Sequence, residues 1–320
     1  MRLVILDKAS LDCGDLDFSK LDALGLEFDV YDNTKPKQVI ERIKDADIIV
    51  VNKIIIDSSI LKQLNKLKLI CVSATGTNNV DLSFAKEKDI LVCNVTGYAT
   101  SSVVQHVFML ITSLNIKLKS YQEKVENGDW SESDFFCLLD FPISDISQQT
   151  IGIIGYGELG QGVANVAKAF GMKVLICESL KSSLNSMKGR VSLNTLLRES
   201  DIVSLHCPLT PESENLISIN EFKLMKKTSL LINTARGGIV DEGALLAALQ
   251  NKQIAGAGID VLENEPPEKT DKLLMSQLDN LVLTPHIAWA SVASRQRLLD
   301  GVINNINDYL SGGAKNIVNK

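Results

Sequence analysis

Three histidines, one arginine and two glutamates are the residues of this sequence best suited to proton transfer and anion binding. An imidazole gives or takes a proton near neutral pH. His106 lies inside an apolar stretch and is expected to be a core histidine. His206 and His286 each follow a short apolar run; His206 suits cofactor contact and packing equally, and His286 is well placed for acid–base chemistry.

Anion binding and imidazole tuning have candidates of their own. Arg236 stands among small residues in the run NTARGG, where a guanidinium can bind a carboxylate through two hydrogen bonds. Glu263 and Glu265 follow another apolar run, and a carboxylate beside an imidazole stabilises its cationic form. The residue pattern leaves both glutamates open. Asp260, just before them, is a candidate for a cofactor amide or for a turn.

Short apolar runs alternate with helical patterns almost from end to end, which predicts parallel sheets covered by helices on both faces. The predicted strands cover residues 3–6, 28–31, 48–51, 69–73, 91–94, 151–154, 173–177, 202–205, 230–233, 258–261 and 281–283. Carboxyl ends of parallel strands share one edge, where ligands bind in such folds. The candidate side chains are therefore expected to converge. The predicted helices cover 36–44, 60–67, 101–114, 159–170, 219–226, 242–250 and 290–310.

A glycine-rich turn follows the strand predicted at 151–154. Gly155 permits the tight turn, Gly157 lets a pyrophosphate approach the backbone, and Gly160 lets the next helix pack closely. Glu178 lies 18 residues beyond Gly160, where a carboxylate binds ribose hydroxyls and repels a 2′-phosphate. The spacing therefore predicts NAD rather than NADP, although Lys181 lies near Glu178.

Composition excludes several other classes. The 320 residues carry a net charge of −6, which argues against a nucleic-acid partner. The six cysteines form no C-x-x-C pair, so neither a metal site nor a redox dithiol is predicted and a reduced, cytoplasmic location is expected. No apolar run approaches the length of about 18 residues that a membrane span needs. The aromatic-rich arm, residues 117–149, is a candidate subunit contact.

Four motifs in order resemble the D-isomer-specific 2-hydroxyacid dehydrogenase family over essentially the whole chain. They are the glycine turn, LINTARGGIVD, GAGIDVLENEPP and LTPHIAWAS. The resemblance implies NAD-dependent hydride transfer to a small 2-keto acid. It implies Arg236, Glu265 and His286 as the catalytic residues, and it places Asp260 beside the nicotinamide. It also implies a homodimer.

The resemblance further implies two doubly wound α/β domains with the active site in the cleft. Residues 1–99 and 288–320 would form a flavodoxin-like substrate-binding domain, and 100–287 a Rossmann NAD-binding domain. The substrate would contact Lys53, Thr75, Gly76, Arg236 and His286. The implied cofactor contacts are Gly155, Gly157, Glu158, Leu159, Gly160, Glu178, His206, Cys207, Pro208, Thr234, Ala235, Arg236, Asp260 and His286.

Within the family, the runs ATGTNNVD, FCLLDFPI and HIAWAS resemble the glycerate dehydrogenase (hydroxypyruvate reductase) branch. Trp289 is then a candidate for the pocket mouth, with a core position as the alternative. D-lactate, glyoxylate and 3-phosphoglycerate are alternative substrates of the same chemistry. Formate dehydrogenase is disfavoured because its histidine pairs with a glutamine. A non-catalytic protein that senses NAD is the alternative from another class.

Overall fold

The computed structural model describes residues 1–180 and 189–320, so that Lys181 lies outside the described residues. The chain divides into two compact units, Met1–Ala99 with Trp289–Lys320 and Thr100–Ala288. The second boundary thus falls one residue after the one predicted. The assignment of substrate binding to the first unit remains a prediction.

The regular elements alternate along both units. The strands are β1 (Arg2–Ile5), β2 (Glu27–Val30), β3 (Ile48–Val51), β4 (Leu69–Val72), β5 (Leu91–Cys93), β6 (Thr150–Ile154), β7 (Lys173–Ile176), β8 (Ile202–Leu205), β9 (Leu230–Asn233), β10 (Gly256–Ile259) and β11 (Leu281–Leu283). The α-helices are α1 (Ser19–Asp22), α2 (Val39–Ile43), α3 (Ser58–Leu61), α4 (Leu82–Glu87), α5 (Thr100–Asn115), α6 (Leu118–Glu126), α7 (Glu158–Ala169), α8 (Leu193–Glu199), α9 (Ile219–Leu224), α10 (Glu242–Gln250), α11 (Lys272–Met275) and α12 (Val292–Leu310).

The first unit is built on one parallel sheet in the order β2-β1-β3-β4-β5, the order of flavodoxin-like folds. β3 and β4 are buried along their whole length, as uninterrupted Ile, Leu and Val runs require. One sheet face packs against α12 through Leu298, Val302 and Ile306. The other face packs against α2 and α3, so helices cover both faces.

The second unit has a parallel sheet in the order β11-β10-β9-β8-β6-β7. A single parallel bridge between Cys177 and Val191 extends it beyond β7. With that bridge counted as a strand, the order is that of the dinucleotide-binding α/β fold. β6 lies at the switch point of the sheet: β7 is added on one side of β6, and β8 to β11 are added on the other side. The chain that follows β6 therefore leaves the sheet between β7 and β8. The glycine turn occupies this position.

The predicted fold class, two doubly wound parallel sheets, is confirmed, whereas several element bounds were wrong. The helix predicted at 60–67 ends at Leu61. Asp57 starts it early by accepting the Ile60 N–H, and tight i→i+3 turns follow. The buried helix predicted at 101–114 is α5. α5 packs closely on β10, and glycine at position 258 makes this possible. A Cβ at Gly258 would lie only 2.9 Å from Leu110 Cβ. No helix in the described ranges is long and apolar enough to cross a membrane.

Candidate active site

Three adjacent strands of the second unit bring the predicted catalytic residues to one sheet edge. β9 pairs with β10 and β10 pairs with β11, all parallel. Arg236, Glu265 and His286 follow these three strands in that order. Their common edge is the carboxyl edge, where helices leave polar backbone groups and open space for a ligand.

His286 and Glu265 form a close pair. Nδ1 of His286 lies 2.6 Å from Oε2 of Glu265, and the other carboxylate oxygen accepts the Leu262 N–H at 2.9 Å. The carboxylate only accepts hydrogen bonds when ionised, so Nδ1 carries the proton that it receives. This leaves Nε2 as the ring atom that can exchange a proton with a substrate. The Glu263 N–H instead donates to the Glu242 carboxylate at 2.7 Å.

Asp260 holds the backbone on which His286 sits. Its Oδ1 accepts the Ile287 N–H and its Oδ2 the Ala288 N–H, both at 2.9 Å. Its carbonyl oxygen accepts the His286 N–H at 2.8 Å. His286 has a left-handed φ of 54°, which costs a side-chain-bearing residue about 1–2 kcal/mol. The Asp260 bonds hold this conformation. Its contact with the nicotinamide remains a prediction.

Thr284 and His106 extend this network, and sequence reasoning missed both roles. The Thr284 hydroxyl donates to Asp260 Oδ1 at 2.5 Å and lies 2.9 Å from Nε2 of His106. Because the Thr284 hydroxyl already donates its proton to Asp260, its oxygen accepts a hydrogen bond from the Nε2–H of His106. Burial lowers the pKa of His106, partly opposed by the Asp260 carboxylate. His106, on α5, thus supports the loop of His286. No local residue pattern indicates this contact, because it joins residues 178 positions apart.

The turn that carries Arg236 is shaped by two neighbours. The buried Asn233 side chain accepts the Ala235 N–H at 3.0 Å and donates to the Arg236 carbonyl at 2.9 Å. Gly237 lies so close to the Leu262–Glu263 peptide that a Cβ would overlap it. The turn therefore packs against the loop that leads to Glu265. The Arg236 side chain itself is exposed, with Nη1 donating to the Ala235 carbonyl at 2.6 Å.

The glycine turn has the shape that a pyrophosphate needs. Gly155 adopts a φ of 93°, and a Cβ there would lie 2.5 Å from the Cys207 nitrogen. At Gly157 a Cβ would meet no atom within 4 Å, so the backbone is open to an approaching group. Gly157 is also the N-cap of α7, whose first N–H groups and dipole favour an anion. Glu158 begins that helix, and its carboxylate accepts the Thr100 hydroxyl at 2.5 Å.

Two buried polar atoms further along this edge have no hydrogen-bond partner among the described residues, namely His206 Nδ1 and Thr234 Oγ1. His206 Nε2 is 2.8 Å from the Ser204 hydroxyl, and burial lowers the pKa of His206 to about 4. The ring is therefore neutral at pH 7. Burial likewise raises the pKa of Cys207 to about 11, so its thiol stays protonated. Orphaned polar atoms beside an open glycine turn fit a dinucleotide that supplies their partners.

The remaining predicted cofactor residues lie at the same edge. Leu159 and Gly160 are in the first turn of α7, and Glu178 follows β7. Glu178 is half-buried and its N–H donates to the Val191 carbonyl at 2.8 Å. Pro208 is exposed and Ala235 is buried. In the described part of the chain no group of three or more His, Cys, Asp or Glu side chains is arranged to hold a metal ion.

The predicted substrate residues of the first unit follow two adjacent strands, β3 and β4. The N–H groups of Asn52 and Lys53 donate to the Asp7 carboxylate, at 2.9 and 2.8 Å for the shortest bonds. Burial raises the pKa of Asp7, and these N–H groups oppose the rise. Trp289 packs edge-to-face on Tyr98, with ring centroids 6.3 Å apart. Its place at a pocket mouth remains a prediction.

Comparison with known proteins identifies the family. Residues 108–288 match the model of the D-isomer specific 2-hydroxyacid dehydrogenase, NAD binding domain. The chain is 42% identical over 318 residues to the glycerate dehydrogenase of Methylorubrum extorquens, covering 99% of this chain and 98% of that one. The chain belongs to the D-isomer specific 2-hydroxyacid dehydrogenase family. The predicted family, the reaction class and the cofactor, NAD, are thereby confirmed.

Two further matches cover the full length. The hydroxypyruvate reductase of Blautia hydrogenotrophica is 38% identical over 325 residues, covering 100% of both chains. The crystal structure of the Aquifex aeolicus D-lactate dehydrogenase, complexed with NAD and lactic acid, superposes with a TM-score of 0.83 at 31% identity. It covers 100% of this chain and 99% of that one. As a member of this family, the chain is an NAD-dependent oxidoreductase that acts on a small 2-hydroxy or 2-keto acid.

Proposed function

We propose that the chain is a hydroxypyruvate reductase, which in the reverse direction is a glycerate dehydrogenase. The 2.6 Å pair of His286 and Glu265 at the carboxyl edge of the sheet carries the chemical part of this proposal. The choice of substrate is supported by relatives named glycerate dehydrogenase and hydroxypyruvate reductase, which match over nearly their whole length. D-Lactate, glyoxylate and 3-phosphoglycerate are the alternative substrates.

When bound, the reduced cofactor would supply the hydride that the carbonyl carbon of the keto acid receives. Arg236 binds the substrate carboxylate with its guanidinium, and the backbone N–H of Gly76 assists. His286 donates a proton from Nε2 to the carbonyl oxygen as negative charge develops there. Glu265 stabilises the cationic imidazole before transfer. In the oxidation, neutral His286 takes the proton of the hydroxyl group at the same atom.

The residues proposed to hold the cofactor act through shape and charge. Gly155, Gly157 and the start of α7 receive the pyrophosphate, and Glu178 accepts hydrogen bonds from the ribose hydroxyls. Thr234 Oγ1 and His206 Nδ1 are the buried atoms that a bound dinucleotide would satisfy. Asp260, which holds the His286 loop through its hydrogen bonds, is proposed to contact the nicotinamide.

We also propose a homodimer that uses the aromatic-rich arm. Phe135, Phe136 and Leu139 are 75%, 91% and 85% exposed, and such a cluster in water favours burial against another surface. Replacing Phe135 and Phe136 together with serine should convert dimers to monomers in light scattering, whereas exchange of the exposed Phe170 should not. A monomeric wild-type chain would refute the dimer.

A cytoplasmic location is part of the proposal, supported by six cysteines that form no disulfide.

The deciding experiment is NADH oxidation by the purified protein with hydroxypyruvate, glyoxylate, pyruvate and 3-phosphohydroxypyruvate in parallel. We expect the highest kcat/KM with hydroxypyruvate, and a much lower value when NADPH replaces NADH because Glu178 repels the 2′-phosphate. The His286→Ala variant should lose turnover but still bind NADH. A higher kcat/KM with another of the four acids would refute the substrate assignment.

A further inference from the structure

A side chain outside the predicted site controls one of its backbone groups. Thr75 and Gly76 follow β4, and Asn94 follows the adjacent parallel strand β5, so both segments leave the same sheet edge. The Asn94 side-chain amide donates to the Thr75 carbonyl at 2.6 Å. The Thr75 hydroxyl donates back to the Val95 carbonyl at 3.0 Å, which ties the two segments together.

The Thr75 carbonyl and the Gly76 N–H belong to one peptide group. This peptide is trans, so its carbonyl and its N–H point in opposite directions. The bond from Asn94 therefore sets the direction of the Gly76 N–H. It also polarises the peptide and makes that N–H a stronger donor. Within the described part of the chain, no group accepts a hydrogen bond from the Gly76 N–H.

Asn94 is itself held firmly. Its carbonyl accepts the Asn305 side-chain amide at 2.9 Å, and its N–H donates to the Asn316 carbonyl at 3.3 Å. The Asn316 side chain donates to Asn305 Oδ1 at 2.8 Å. Asn94 and Asn305 are only 9% and 5% exposed. Helix α12 lies tight against this segment, because a Cβ at Gly301 would be 2.5 Å from Val95 Cγ1.

We propose that Asn94 is a positioning residue that aims the Gly76 N–H at the carboxylate of the 2-keto acid. The proposal rests on the proposed function, in which that N–H binds the carboxylate. A buried amide held by the C-terminal helix and tail is more rigid than the exposed loop that it orients. The last helix thereby contributes to substrate affinity without touching the substrate.

The test is the Asn94→Asp variant. Aspartate has nearly the same size, but its ionised carboxylate only accepts hydrogen bonds and repels the Thr75 carbonyl. The Thr75–Gly76 peptide should then turn away, so that the carboxylate of the substrate loses its charge-assisted hydrogen bond from the Gly76 N–H. We expect kcat/KM for hydroxypyruvate to fall about 10- to 100-fold, mainly through KM, as loss of one hydrogen bond to a charged group predicts. The KM for NADH and the pH dependence of kcat should not change.

Asn319→Asp is the matched control. Asn319 is also buried, at 8% exposure, and its amide donates to the Ile90 carbonyl at 2.8 Å. Its Oδ1 accepts the Val92 N–H at 2.9 Å, so it supports the opposite end of β5. Asn319→Asp should lower the melting temperature by a similar amount and leave the KM unchanged. An equal rise of KM in both variants would show a merely structural role and overturn the proposal.

Asn305→Asp keeps the test decisive if Asn94→Asp does not fold. It removes the bond to the Asn94 carbonyl and should raise the KM in the same direction by a smaller factor. An unchanged KM in a folded variant would overturn the proposal. Wild-type turnover across the four keto acids tests the proposed function separately. The variants are then compared with wild type on whichever acid is reduced best, since all four carry the carboxylate.

Discussion

Nδ1 of His286 and Oε2 of Glu265 lie 2.6 Å apart, although the two residues follow different strands. The side chains of His286 and Glu265 are 29% and 32% exposed, so the charges of the pair are neither fully screened by water nor fully desolvated. This position allows the imidazole to carry a charge beside the carboxylate and still reach a ligand with Nε2.

Glu265→Gln should separate the charge of the carboxylate from its hydrogen bond. The amide oxygen can still accept from Nδ1, but it no longer stabilises the cationic ring. We expect kcat/KM for reduction to fall about 10- to 100-fold, less than the roughly 10²- to 10⁴-fold that acid–base catalysis supplies, because His286 itself remains. Steady-state kinetics with hydroxypyruvate measure the loss. Glu263→Gln, on the same loop, should leave kcat/KM unchanged.

Gly237→Ala should damage catalysis through the backbone. Its methyl group would overlap the Leu262–Glu263 peptide, so the turn of Arg236 must move away from the loop of Glu265. A displacement of about 1 Å can cost about 100-fold in rate, and we expect a loss of that order in kcat/KM. Gly243→Ala is the control. There a Cβ would lie 3.4 Å from Asp241 Oδ1 within α10, and activity should persist.

Thr284→Val should loosen the loop of His286. The variant keeps the shape of the side chain but removes the hydroxyl that links His106 Nε2–H to Asp260 Oδ1, two atoms that lie 3.4 Å apart. A buried group that loses its partner costs about 1–3 kcal/mol of unfolding free energy, and kcat should fall in parallel. Urea unfolding and kinetics measure the two effects. Thr270→Val removes only an exposed bond to Glu268 and should change neither, whereas equal effects would contradict the assignment.

Stability should fall in acid partly because of His206. Burial lowers its pKa from 6.5 to about 4 in the folded chain, so the unfolded chain binds the proton more tightly. The contribution of the neutral, buried His206 to the free energy of unfolding is complete above pH 6.5 and is lost as the pH falls towards 4. From pH 7 to 5 this amounts to about 2 kcal/mol. In His206→Gln the decline of unfolding free energy should be smaller by that amount, and identical slopes would contradict the burial of the ring.

Much of the fold was predictable because its signals are local. Apolar runs such as residues 48–51 and 69–73 have too few polar positions for a surface strand, and the structure buries β3 and β4 fully. The residue type alone indicates the turn around Gly155, since a φ of 93° is unfavourable for residues other than glycine. The ends of short helices were not predictable, because α3 stops where i→i+3 turns replace its helical bonds.

By itself, the sequence determined two parallel sheets, the glycine turn after β6 and the strand ends that carry Arg236, Glu265 and His286. These features follow from periodicity, glycine chemistry and motif order within a few residues. Only the tertiary structure decided which side chains meet across strands. His106 meets Thr284 over 178 residues, and Asn94 meets Thr75 over 19. Such contacts depend on strand order and on how loops pack, and neither leaves a local pattern in the chain.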